Sequence, residues 1–157
     1  MKVALFSLLL FALPVFATIS QRQAPVSSWN TGSATSCSAS LSSTHYSAKD
    51  LIVVWTYWTS SSMLTATVSD TPYSNNYLSA VGPTLQSAAS PAITSQIFYA
   101  ANTSTTGGSG NDVVTVQYSG SASTSGCVVV EYQGADTVAP LDSVSEAGGP
   151  FNRLRCD

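Results

Sequence analysis

The side chains of this chain that could do chemistry are few, and their spacing limits what they could do. His45 is the only histidine, in the polar stretch Ser-Thr-His-Tyr-Ser. A serine or cysteine nucleophile needs a base beside it and a third group to orient that base. No glycine-flanked nucleophile turn accompanies His45, so its expected role is that of a loop residue. Glycoside hydrolysis needs two carboxyls about 5–9.5 Å apart across a cleft. Glu131 is the one carboxylate inside a strand-like run, and its partner would come from a loop such as that of Asp112. A glycan-active hydrolase built on Glu131 is the alternative reading; the plainer expectation is that Glu131 points to solvent or caps a tyrosine hydroxyl.

Metal chemistry has little to work with. One histidine and scattered cysteines give no zinc spacing. Asp70, Asp136 and Asp142 fall in turn-like segments and, with backbone carbonyls, form the only candidate calcium set; turn formation is their simpler role. No other cofactor is expected. Aromatic residues carry the remaining signal. Trp55 and Tyr57 share one side of a strand, Trp58 takes the other, and Tyr73 and Tyr77 flank a turn. Rings with an apolar body and a polar tip suit stacking on sugars. The competing role for all five is packing in the core and at its rim.

The elements that must position these residues are strands. Asp50–Trp58, DLIVVWTYW, is an unbroken apolar and β-branched run of strand length. Such a run calls for cover on both faces and marks the central strand of a sheet. Around it lie shorter candidates: Thr35–Ser42, Met63–Ser69, Tyr77–Val81 closed by Gly82-Pro83, Thr94–Ala101, Val113–Tyr118 and Cys127–Tyr132. Several alternate in period two, and Ser, Thr, Gly and Asn punctuate them. No helical period appears. The expected fold is an antiparallel β-sandwich of about seven strands, immunoglobulin-like or jelly-roll.

Residues 1–17 carry a lysine followed by an apolar run ending Val15-Phe16-Ala17, the pattern of a cleaved secretory signal. Residues 18–34 show no periodicity and are expected to be a leader, 35–149 the sandwich, and 150–157 an irregular tail. Only 8 % of residues are charged, and no Lys or Arg occurs between Asp50 and Asn152. Binding to phosphate backbones or anionic membranes requires such cations, so nucleic acid and membrane surfaces are not expected partners. An apolar fraction of 44 % argues for a folded body. In an oxidising compartment Cys37 and Cys127 either pair or remain as buried thiols, and Cys156 is left over. Asn102-Thr103-Ser104 is an N-glycosylation acceptor on a turn, relevant in a eukaryotic host.

From Asp50 onward the chain resembles a family of uncharacterised secreted β-sandwich domains. The resemblance rests on DLIVVWTYW, Val68–Asp70, Tyr77–Thr84 (YLSAVGPT), Ser95–Asn102 (SQIFYAAN), Asn111–Gly120 (NDVVTVQYSG) and Val128–Asp142 (VVVEYQGADTVAPLD), in that order over about 100 residues. It implies an extracellular sandwich with no catalytic residues to carry over. Similar domains continue through further strands where this chain turns to Gly148-Gly149-Pro150 and FNRLRCD, which suggests a shortened domain. The functional expectation is a secreted, non-catalytic surface, adhesion or carbohydrate-binding module, with neutral carbohydrate or another extracellular chain as partner. A structural piece without a ligand is the third alternative.

Overall fold

A computed structural model describes residues 18–43, 47–89, 91–106 and 109–141. The proposed signal at 1–17, His45, Asp142, Cys156 and the 150–157 tail lie outside them. Among the described residues there is no helix, and nine antiparallel strands form two packed sheets. The strands are β1 (Ser20–Gln21), β2 (Val26–Asn30), β3 (Ala34–Leu41), β4 (Leu51–Thr59), β5 (Ala66–Thr71), β6 (Leu78–Gln86), β7 (Ile93–Ala100), β8 (Asp112–Ala122) and β9 (Thr124–Gln133). The larger sheet runs β1-β9-β4-β7-β6, with β2 also pairing β9; the smaller runs β3-β8-β5. The expected sandwich is present.

β4 is central, paired with β9 on one side and β7 on the other along nearly its whole length. Its inward residues Ile52, Val54, Thr56 and Trp58 are buried. They meet Val114, Val116 and Tyr118 of β8 and Cys37, Ala39 and Leu41 of β3 in one core. Trp58 packs on Tyr118 with ring centroids 5.5 Å apart. The Thr56 hydroxyl bonds the Tyr118 hydroxyl and the Gly126 carbonyl, each at 2.9 Å, so the hydroxyls of this central pair are partnered.

Three expectations about the elements change. Residues 18–34 are not a leader: β1 and β2 lie there and extend the large sheet along β9. In Val26–Asn30 the half-buried positions are Val26, Ser28 and Asn30. Two of these three are polar, so the alternation carries almost no hydropathy signal. The strand at Tyr77–Val81 does not stop at Gly82-Pro83 but runs through it to Gln86, with register shifts between Ser79 and Val81 and, across Gly82-Pro83, between Val81 and Thr84. Gly82 makes this passage at φ +89°, where a Cβ would stand 2.8 Å from the Ser95 carbonyl oxygen. The Ser119–Gly126 turn contracts to the connection at Ser123 between long β8 and β9.

Cys37 and Cys127 form a disulfide, with Cα atoms 6.0 Å apart and a separation of 90 positions in sequence. It ties β3 of one sheet to β9 of the other. Closing a loop of that length stabilises by about 4–5 kcal/mol in the chain-entropy account. Reduction, or the double substitution Cys37→Ala/Cys127→Ala, is therefore expected to lower the thermal midpoint by roughly 10 °C or more, read by calorimetry.

Candidate functional site

The outward residues of the large sheet form the most distinctive surface of the molecule. Directly opposed residues of an antiparallel pair share a face. Trp55 therefore lies in a row with Val128 and Ile97, Tyr57 with Gly126 and Ser95, and Val53 with Val130 and Tyr99. Trp29 of β2 also opposes Gly126. The cover expected on both sides of β4 is thus provided on the inner side alone among the described residues. On the outer side Leu51, Val53 and Tyr57 are half-buried and Trp55 is 37 % exposed. The smaller sheet can pack against only one face, and the apolar composition of the outer positions has a different cause.

That cause is visible in the rings. Trp29, 52 % exposed, joins Trp55 and Tyr57 in a triad. Their centroids are 6.3 Å (Trp29–Trp55), 5.8 Å (Trp29–Tyr57) and 5.6 Å (Trp55–Tyr57) apart. These are favourable aromatic contact distances. Gly126 is the floor of the cluster. A Cβ there would overlap the Trp29 ring and come within 2.7 Å of Tyr57 Cε1, so both rings lie where any other side chain would stand. Across the rows of β2, β9, β4, β7 and β6 that face outward with the triad, no residue carries a charge.

The five aromatic residues weighed between sugar stacking and packing in the core and its rim separate. Trp55 and Tyr57 belong to it. Trp58, 1 % exposed, belongs to the core, as the alternation along β4 requires. Tyr73 and Tyr77 pack against the core beside the β5–β6 turn, where their hydroxyls donate to the Gly110 carbonyl (3.0 Å) and to Asp70 Oδ2 (3.1 Å). Trp29 is the residue that sequence reasoning missed. Its signal was a lone tryptophan inside a five-residue run whose inward side is mostly polar.

The carboxylates gather elsewhere, toward the end of the sandwich where β4 and β8 begin. Glu131 does not point to solvent and caps no tyrosine among the described residues. It is fully buried and inward-facing, accepting from Gln23 Nε2 and, at 3.3 Å, from the Ser47 N–H. Asp50 is also buried and bonds Arg22 Nε at 2.7 Å. Asp112 is buried, and neither carboxylate oxygen has a hydrogen-bond partner among the described residues. Burial first, then the charges of Asp70 and Glu131, pushes its pKa up to about 7; burial likewise raises that of Glu131. Glu131 and Asp112 thus face the interior, an arrangement unlike the open cleft a glycosidase pair requires.

The calcium candidates are similarly occupied. Asp70 accepts from the Asn75 backbone N–H (2.8 Å), Asn75 Nδ2 (2.6 Å) and Tyr77. Asp136 caps its own turn through the N–H groups of Val138 and Ala139, which lowers its pKa. The described residues contain no group of three or more potential ligands, and Asp142 falls outside them. Asn102 is exposed at φ +53° just past β7, while Thr103 beside it is buried, its hydroxyl bonded to Asp50 N–H and the Ser47 carbonyl.

The fold and surface together define an all-β sandwich with an open aromatic face. No family model, curated protein or solved structure matches the chain.

Two predictions come from these sites. A raised carboxyl pKa means that the folded protein holds its proton to higher pH than the unfolded chain does. Stability is then greatest below the ordinary carboxylate range, declines as pH rises from about 4 to about 7, and stays reduced above. Melting followed from about pH 4.5 to 8 should show that decline. Asp112→Asn should remove much of it and raise the midpoint by several degrees at the upper end. At the triad, Gly126→Val should displace Trp29 and Tyr57, visible as a change in tryptophan fluorescence and near-UV circular dichroism.

Proposed function

We propose that this chain is an exported, non-catalytic β-sandwich module that binds neutral carbohydrate through Trp29, Trp55 and Tyr57. The observation that carries the reading is the triad itself: three rings gathered on the outer side of the large sheet, in rows without charge. Sugar rings present C–H faces that stack on aromatic rings and hydroxyls that need only neutral partners such as nearby Ser95 and Ser27. Single rings at protein surfaces need no special account, whereas a contiguous exposed apolar patch marks an interaction surface.

Export is supported by the disulfide and by the apolar N-terminal run. No helix among the described residues is long and apolar enough to cross a membrane. In a host that glycosylates, exposed Asn102 is the proposed acceptor. It follows β7 directly, whereas Trp55 and Tyr57 pair with residues nearer the start of that strand.

Affinity electrophoresis and titration calorimetry against a panel of neutral polysaccharides test the reading. Binding should weaken about tenfold or more in Trp55→Ala and in Trp29→Ala, equivalent to about 1.4 kcal/mol or more per ring. Tyr73→Phe, remote from the triad, should bind as the unchanged chain does. A panel with no binder, or tryptophan substitutions without effect, would refute it.

A further inference from the structure

Resting on that carbohydrate reading, we propose that the triad takes a short stretch of a single uncharged glycan chain rather than the ordered face of a crystalline polymer. The inclination of the rings decides between these two forms of ligand. Tyr57 is tilted 31° to Trp55 and 39° to Trp29, and the two indoles stand at 64° to each other. Dispersion contact weakens steeply once atoms separate beyond van der Waals distance. A flat crystalline surface can be met by several rings together only if they share a plane, and here no two do. A free chain, turning about its glycosidic linkages, can present successive sugar faces to rings set at different angles.

The inclination is held by packing. Trp29 and Tyr57 rest over Gly126 from opposite sides, β2 and β4, with no Cβ between them. Flattening the cluster would require turning rings that pack on one another and over Gly126. The size of the ligand follows from the same contacts. The centroids make a nearly equilateral triangle with sides of 5.6–6.3 Å. The cluster is compact, not a track along the sheet, so contact with the rings is complete after a few sugars. The charge of the ligand follows from the face. With no cation among the residues in the triad's rows, a uronate or sulfate would lose hydration without gaining a counter-charge.

The test is a length series of soluble neutral oligosaccharides from gluco-, xylo- and N-acetylglucosamine polymers, measured by calorimetry. It runs beside depletion assays on microcrystalline cellulose and chitin, and a uronate-rich polysaccharide. Affinity should rise with length up to about three sugars, then level off, and fall about tenfold in Trp55→Ala. Retention on the crystalline solids should be no greater than that of the same variant. Trp55-dependent binding to the solids without binding to the soluble chains overturns this inference and leaves the carbohydrate reading intact. A preference for the uronate polymer overturns this inference and, with it, the neutral character of the ligand in the proposed function. Binding to no glycan in any form overturns both, as does concentration-dependent dimerisation abolished by Trp29→Ala.

Discussion

The two-residue alternation along β4 is the constraint on which the rest of the structure depends. Four inward positions, Ile52, Val54, Thr56 and Trp58, supply the middle of the core, and the neighbouring strands are set in register against them. A slip of one residue would carry Trp55 and Tyr57 into the core and bring Trp58 out. The hydrogen bonds from Thr56 to Tyr118 and Gly126 add a directional check on that register. The same alternation that builds the interior therefore fixes which rings are displayed.

The interior is unusual in its polar content. Asp50, Asp70, Asp112 and Glu131 are all buried, though charged residues make up only 8 % of the chain. Three of them are partnered: by Arg22, by Asn75 and Tyr77, and by Gln23 and Ser47 respectively. Asp112 is the exception, without a donor among the described residues, and its raised pKa is the physical response of a carboxyl to burial first and then to the charges of Asp70 and Glu131. The molecule thus keeps charge off its open sheet face and gathers it toward one end, where loops satisfy most of it.

Much of the fold was legible because strand residues that face the core are apolar and those beside them are hydroxylic. β3, β5 and the middle of β8 largely show this pattern, whereas β7 and the middle of β9 were legible as runs apolar on their outer side as well. All fall close to where expected except β5, which starts only at Ala66 and takes in Asp70 and Thr71, expected in a turn. What escaped notice has physical causes. β2 hides because Ser28 and Asn30, on its inner side, are polar; Asn30 bonds the Ser36 carbonyl instead of packing. β6 hides because Gly82 and Pro83 imitate an end. The role of Glu131 was unreadable because its position in the alternation, opposite Ile52, is inward, while its charge suggested the reverse. At the site, the shared side of Trp55 and Tyr57 could be read from period two. Trp29 could not, since only the pairing of β2 with β9 brings it there.

The disulfide stands directly behind the displayed rings. Cys127 follows Gly126, and Ser28, which opposes Cys127, precedes Trp29. The backbone that seats the triad is therefore clamped covalently to the other sheet, and the rings are held in position before anything arrives. In the carbohydrate reading proposed above, a backbone seated in this way would lose little conformational entropy on association, so three modest stacking contacts would retain affinity that a looser scaffold would forfeit.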